Sequence, residues 1–412
     1  MVTSCKEQNT WGEATPPAAK KIEHLIEMHG DSRIDHYYWM NDRENPDVIA
    51  YLEAENAYLE AKMKPVARFQ EELFNEMKAR IREDEQSAQV FSNGYYYYTR
   101  YEEGGEYPIY CRRKSTMEAE EEILLDVNKM AKTYSYFNVG QYDVSLNNKL
   151  LAFTYDTVGR RQYTIAFKNL ETGEILETSI KNASGDITWA ADNETVFFTS
   201  IDPATLRYDR VMRYNFITAI EPLAVYTEND ESYYYMHVSR SKDDRFIEIK
   251  ANSTLSDETL LLSSDDPLGE FKVFQKRERD LLYSIFPAGN KFYILTNKDA
   301  KNFKLMHTPA DATGIRNWKE VIAHRDDVLI EQVEVFKDYL VLQERTKGLG
   351  QLRILGLVSG EEHYISFGEE AFTVGIGANY EMETDILRFN YTSPTTPMSA
   401  FDYNMKTREK NL

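Results

Sequence analysis

Seven histidines are the groups in this 412-residue chain best suited to move a proton near neutral pH: His24, His29, His36, His237, His307, His324 and His363. None stands at helical metal-ligand spacing from another, so each reads as a surface or satisfied core residue. The sequence holds no Gly-x-Ser-x-Gly nucleophile turn. It also holds no His-Glu-x-x-His, no Walker phosphate loop and no EF-hand loop. Gly348, Gly350 and Gly356 miss the dinucleotide spacing and read as turn glycines. Motifs alone therefore place no active site, metal or cofactor on this chain.

Other reactive or charged groups carry weaker signals. Asp84-Glu85, Glu120-Glu121-Glu122 and Asp265-Asp266 read as solvated loops. Arg160-Arg161 follows Asp156-Thr-Val-Gly159 between two strand-like segments. Paired guanidinium groups can hold a carboxylate on a facing surface; two exposed loop charges is the plainer reading. The two cysteines, Cys5 and Cys111, build neither a disulfide framework nor a zinc pattern. Cys111, in Pro108-Ile-Tyr-Cys-Arg-Arg113, reads as a small buried apolar residue. Val2-Thr3-Ser4-Cys5 resembles the lipidation site that ends a bacterial lipoprotein signal, without the charged and apolar regions that should precede it. A removed leader would make this a lipid-anchored periplasmic or envelope protein. An accidental match would leave it in the bacterial cytoplasm.

The formal net charge of −20 argues against nucleic acid as the main partner, since a phosphate backbone would be repelled. It is compatible with attracting cationic peptides. No apolar run approaches the length of a membrane span.

The elements that must position any site are mostly strands. From Val90 onward a polar turn repeatedly precedes a strand rich in Tyr, Phe, Leu and Ile. The turns align at Asn93, Asn148, Asp192, Asp243, Asn290, Asp338 and Asp385, roughly 44 to 55 residues apart. That period is close to one four-stranded propeller blade. The expected fold is mainly β: a seven-bladed β-propeller over 86–412, preceded by a helical region over 17–85 and a flexible lead-in over 1–16. In the second unit the strands are expected near Val144, at Leu151–Tyr155, Thr164–Asn169 and Ile175–Glu177. In the helical region Asn45 is placed to cap a helix that Pro46 opens. Pro65 opens a second helix with apolar positions Val66, Phe69, Leu73, Met77 and Ile81. These helices present apolar stripes for which a propeller offers no obvious seat.

Several longer segments carry a resemblance: Tyr38-Trp-Met-Asn-Asp-Arg43, Val48-Ile-Ala-Tyr-Leu-Glu-Ala-Glu-Asn-Ala-Tyr58, Met77-Lys-Ala-Arg-Ile-Arg-Glu-Asp84, Tyr107-Pro-Ile-Tyr-Cys-Arg-Arg113 and Tyr391-Thr-Ser-Pro394. From about residue 17 the chain is similar to the N-terminal part of the prolyl oligopeptidase family of serine peptidases, in its oligopeptidase B (protease II) branch. The resemblance implies a propeller that caps an α/β-hydrolase domain, itself absent from this chain and expected after Leu412. The N-terminal helices would pack on that domain. The triad, and the acidic residues that select Arg or Lys in short basic peptides, would lie there too, so no catalytic residue falls on this chain. The propeller would gate access by substrate size. Asp84, Glu85, Arg160 and Arg161 would serve the hinge and interdomain contact. A stand-alone propeller that binds a peptide or protein is the alternative, and a coding sequence that continues into a Gly-x-Ser-x-Gly hydrolase would decide against it.

Overall fold

The structure, a computed structural model, describes residues 14–218 and 220–412. Cys5 lies outside them. The chain divides into two compact units, Met1–Glu83 and Asp84–Leu412.

In the first unit β1 (His24–Met28) and β2 (Asp31–Asp35) form an antiparallel hairpin. Its turn needs two left-handed residues, His29 and Gly30, at φ 51° and 81°. Helix α1 (Pro46–Met63) starts as its sequence dictates: the Asn45 side chain accepts from the Asp47 amide at 2.9 Å, and Pro46 needs no partner in the first turn. A short 3-10 turn over Lys64–Val66 leads into α2 (Ala67–Lys78). The second helix stops before Ile81, because Arg80 and Ile81 donate to Met77 and Lys78, three residues back, in a tightening last turn. The apolar stripes are exposed: Leu59 by 58%, Phe69 by 64% and Met77 by 53%.

The second unit is a succession of antiparallel sheets in a propeller-like arrangement. The first contains β3 (Val90–Ser92), β4 (Tyr95–Arg100), β5 (Ile109–Lys114) and β6 (Glu121–Asp126). A short helix, α3 (Val127–Met130), follows. The second sheet has seven strands: β7 (Asn138–Val144), β8 (Leu150–Asp156), β9 (Tyr163–Asn169), β10 (Ile175–Trp189), β11 (Thr195–Ile201), β12 (Tyr208–Asn215) and β13 (Leu223–Thr227). The third contains β14 (Tyr235–Arg240), β15 (Phe246–Asn252), β16 (Asp257–Ser263) and β17 (Lys272–Gln275). The fourth contains β18 (Tyr283–Ala288), β19 (Lys291–Thr296), β20 (Lys304–Pro309) and β21 (Lys319–Ile322). The fifth contains β22 (Val328–Val335), β23 (Tyr339–Thr346), β24 (Leu349–Gly356) and β25 (Glu362–Tyr364). The last contains β26 (Thr373–Ile376), β27 (Ile386–Thr392), β28 (Ser399–Asn404) and β29 (Lys410–Asn411).

Each aromatic-rich segment behind an anchor turn is the second strand of a hairpin: β4, β8, β11, β15, β19, β23 and β27. These strands bury both faces. In β11, Val196 and Phe198 pack with Trp189 and Tyr214, while Phe197 packs with Val238 and Ile247 of the next sheet. In β23, Leu340 and Leu342 join one core and Val341 the next. Burial on both faces is why these segments read as nearly continuous apolar runs rather than as alternating ones.

The sequence expectation fails at β10, which runs to Trp189 instead of stopping near Glu177. It pairs with β9 over Ile175–Ala183 and with β11 over Ala183–Trp189. Between those stretches the backbone bulges, with Asn182 and Gly185 at φ 62° and 114°. The polar Asn-Ala-Ser-Gly-Asp text that resembles a loop is therefore a kink within a strand.

The first hairpins share one end of the unit. Asn93 Nδ2 donates to Leu146 O at 2.9 Å, and the Asn147 amide to Asn193 Oδ1 at 2.7 Å. At the seam between first and last sheets no strand is shared among the described residues. There the Asn93 amide donates to Glu381 Oε1 at 2.9 Å. Arg388 donates to Gln89 O while holding Asp402 with two bonds of 2.7 Å. Connections between second and third strands, and between sheets, lie at the opposite, loop end.

Gly140 on β7 is tested by space alone. A Cβ there would sit 2.6 Å from Thr154 Oγ1 and 2.7 Å from the Tyr163 ring, whereas one at Gly368 would meet nothing within 4 Å. Gly140→Ala should cost about 1–3 kcal/mol by overpacking. Gly368→Ala should stay within about 0.5 kcal/mol of the parent, both read by urea unfolding.

Candidate functional site

The first strands of the sheets wall a cavity of about 1610 Å³, to which β3, β7, the last residues of β10, β14, β18, β22 and the segment after β26 all contribute. Its charged groups are tied to one another. Arg240, at the end of β14, reaches Asp143 of β7 at 3.2 Å and Asp244 at 2.7 Å, and it donates to Trp189 O at 2.8 Å. Lys242, two residues on, reaches the other way to Glu334 of β22 at 2.5 Å and to Val335 O at 2.9 Å. Its ammonium also lies 4.0 Å from the Phe336 ring centre. One turn thus sends cations in two directions across the hairpin end of the cavity. Burial pushes the Lys242 ammonium down and the Glu334 carboxyl up, each against the pull of its partner. The Asp244 carboxyl is likewise raised by burial, although Arg240 opposes the shift.

Deeper in the wall, Asp186 of β10 is a buried carboxylate with a full set of donors. His237 Nδ1 lies 3.3 Å away, Thr199 Oγ1 donates at 2.7 Å and the Val238 amide at 2.9 Å, and Ser184 donates its hydroxyl. Burial works against its charge, but His237, Ser184 and Thr199 together hold the carboxyl below its usual range. The bond to Asp186 aligns the imidazole of His237, a cavity-lining residue.

The residues singled out in the sequence lie elsewhere. Arg160 and Arg161 are exposed on the β8–β9 loop and have no ion pair among the described residues. Their loop is fixed by buried Asp156, which accepts from the amides of Val158 at 2.8 Å, Gly159 at 3.1 Å and Arg161 at 2.8 Å. Asp84 and Glu85 are exposed where the chain approaches β3, and Glu85 O accepts from the Tyr101 amide at 2.9 Å. The β8–β9 loop and the approach to β3 both belong to the loop end. Cys111 is fully buried, and burial pushes its thiol up to about 11, which leaves it an inert core residue. Among the described residues no group of His, Cys, Asp and Glu could hold a metal ion. Among the described residues no helix is long and apolar enough to cross a membrane. Sequence reasoning missed the Asp186–His237 pair and the Arg240 and Lys242 contacts. Arg240 and Asp143 are 97 positions apart, and Lys242 and Glu334 are 92, so no local spacing announces them.

Both networks make measurable predictions. Lys242→Met strands the Glu334 carboxyl and should cost about 3–5 kcal/mol, whereas Lys242→Met with Glu334→Leu should recover most of that loss. Equal losses in single and double variants would refute the pairing. Asp186→Asn should cost about 1–3 kcal/mol at pH 7. Because the folded carboxyl titrates below its unfolded value of about 3.9, its contribution is complete above that pH and fades as pH falls below it. The deficit of the variant should therefore narrow in urea unfolding at acid pH, and a constant deficit would assign the loss to something other than the charge.

Residues 16–412 match the family model described as "Prolyl oligopeptidase, N-terminal beta-propeller domain". Dipeptidyl aminopeptidase BI of Pseudoxanthomonas mexicana is 41% identical over 96% of this chain and 57% of its own length. Protease 2 of Moraxella lacunata is 29% identical over the same shares, 96% and 57%. Among solved structures, oligopeptidase B from Leishmania major superposes with a TM-score of 0.88 at 26% identity, covering 97% of this chain and 60% of that one. Oligopeptidase B from Trypanosoma brucei does so with 0.87 at 25% identity, covering 96% and 60%. The chain thus spans well under two thirds of the length of these relatives, and what it spans is their N-terminal part. It belongs to the prolyl oligopeptidase family of peptidases, of which it carries the N-terminal β-propeller domain.

Proposed function

We propose that this chain is the access-controlling part of an oligopeptidase B-like serine peptidase that hydrolyses short peptides after Arg or Lys. Its C-terminal α/β-hydrolase partner would supply the triad, and this part alone would be inactive. The observation that carries the reading is likeness to oligopeptidase B over 97% of this chain combined with coverage of only 60% of that enzyme. The net charge of −20 supports a preference for cationic peptides. The unseated apolar faces of α1 and α2 support a second packing surface on the hydrolase part.

Seven blades is the count we favour. The seven-stranded sheet is read as two blades that share β10, the outer strand of one and the inner strand of the next. Gating is then a matter of walls. A Ser–His pair cleaves any acyl group that reaches it, so size selection must come from access. A ring whose hairpin end is crossed by Arg240 and Lys242 would oppose the threading of a peptide from that side.

The test supplies this chain and a separately produced hydrolase part, singly and together, with a short Arg-containing amide. Activity only in the mixture is the expected result. Activity in this chain alone would overturn the assignment. A stably folded chain with no complementation would favour a stand-alone binding propeller. In the joined polypeptide, Arg160→Glu with Arg161→Glu should lower kcat/KM by about three- to tenfold, as expected for charges at the rim of an interface. Unchanged kinetics and unchanged small-angle scattering would remove these arginines, and with them the Asp84–Glu85 hinge, from the interdomain contact.

A further inference from the structure

This acid-rich chain leaves a row of bases unneutralised. Asp and Glu total 68 against 48 Lys and Arg, so a cation has a surplus of carboxylates to pair with. Arg240, Lys242, Arg277 and Arg353 each take one. Lys291, His307 and Lys319 do not. None of the three makes an ion pair or a side-chain hydrogen bond among the described residues.

The three come from adjacent strands of the fourth sheet, β19, β20 and β21. Successive side chains on a strand point to opposite faces, and residues directly opposite one another share a face. Leu295 stands opposite Leu305, and Leu305 opposite Ile322; all three pack with Val333 and Val335 of β22. Toward the hairpin end, the next row on that face is Tyr293, His307 and Lys319. Beyond it stands Lys291, whose ammonium lies 4.7 Å from the Tyr293 ring centre. The apolar core row thus gives way to a basic one. Lys291 and Tyr293 also line the cavity, so the row borders it. Lys291 and His307 are half-buried, and Lys319 is exposed.

The surrounding carboxylates are engaged elsewhere. Glu320 alternates to the other face, where it meets Lys304 at 3.6 Å. In the fifth sheet, packed against the basic face, Glu334 holds Lys242, Glu362 holds Arg353 and Glu361 lies 3.9 Å from Arg408. Asp338 acts on Lys337 and Tyr339. Asp311, exposed in the β20–β21 connection, makes no ion pair among the described residues. The His307 imidazole registers the result. Burial, Lys291 and Lys319, in that order, push its pKa down, and no carboxylate pulls it up. Basic groups held together without a counter-charge repel one another, and an anion relieves that repulsion.

We propose that Lys291, His307 and Lys319 form a binding site for a phosphate-type oxyanion, either free phosphate or a phosphate monoester. Donors from three strands suit an anion with three or more oxygens better than a carboxylate with two. The strands fix their spacing, so little order has to be gained on binding. The site does not depend on the function proposed above. A bound anion favours the charged imidazole, and the linkage is reciprocal: protonating His307 tightens the anion.

Calorimetry on the joined polypeptide, at fixed ionic strength with chloride as the balancing anion, tests this. Inorganic phosphate should bind saturably. Lys291→Met or Lys319→Met should weaken it about tenfold, the loss of one charge-assisted contact. Lys301→Met, at an exposed loop-end tip, should leave it unchanged. Thermal unfolding checks the variants, and exposed Lys319 can be replaced without loss of the fold even where half-buried Lys291 cannot. Tighter O-phosphoserine assigns a monoester and tighter phosphate the free ion; either order supports the site. Sulfate does not titrate between pH 5 and pH 8, so its affinity isolates the protein's own proton. It should bind about five- to tenfold tighter at pH 5 than at pH 8, and this dependence should vanish in His307→Gln. No saturable binding above chloride, equal affinity for acetate, or phosphate binding indifferent to both lysine substitutions would overturn the proposal. A flat sulfate profile in the parent would also overturn it, by removing His307 from the site.

Discussion

The second strand of each hairpin must be buried on both faces, and most of this molecule follows from that requirement. A strand sandwiched between two neighbouring sheets has no face left for water, so Phe197 and Phe198, adjacent in sequence, serve different cores. Each sheet is thereby glued to the next through side chains, with no backbone ladder between them except within the seven-stranded sheet. At about 25 cal/mol per Å² of apolar area removed from water, this stacking is the dominant favourable term. It frees the first strands from packing duty on their inner side. Their cavity-facing positions can be polar or charged because the hydrophobic work is done one strand further out.

That freedom has an electrostatic cost. Charges in a confined cavity are partly stripped of water, and burial drives Lys242, Glu334 and Asp244 toward their neutral forms. Pairing is the compensation, and here the partners come from non-neighbouring first strands. Arg240 and Asp143 belong to β14 and β7, and Lys242, in the turn after β14, reaches Glu334 of β22. Such pairs add little net stability compared with apolar replacements, but they fix geometry, since an uncompensated charge is penalised heavily. They act as chords across the ring. The seam between first and last sheets is handled in the same way, by Asn93, Glu381, Arg388 and Gln89 rather than by a shared strand.

Legibility in the sequence followed the range of the interaction. The anchor turns were visible because left-handed positions favour Asn, Asp and Gly, as at Asn93, Asn148 and Asp244. The doubly buried strands were visible because they are apolar at consecutive positions. The start of α1 was visible because Asn45 and Pro46 act within one turn. The β1–β2 hairpin was not read, since His29-Gly30 sits between short, mostly exposed strands with no apolar alternation. The continuity of β10 was hidden by its own bulge, whose residues are those of a loop. Long-range ion pairs left no trace at all, and Asp186–His237 looked like an isolated acid and a lone histidine. The family resemblance supplied Arg160, Arg161, Asp84 and Glu85, and the structure places both pairs at the loop end, exposed.

The two ends of the propeller-like unit therefore differ in kind. At the hairpin end, chords of opposite charge span the cavity and first-strand turns bond directly to one another. Those contacts satisfy themselves internally and ask for no partner. At the loop end, aromatic and apolar side chains such as Tyr101, Tyr136, Val158 and Tyr234 stand exposed beside charged tips. A surface that satisfies its polar groups internally is suited to be a wall, and one that leaves aromatic rings in water is suited to be covered.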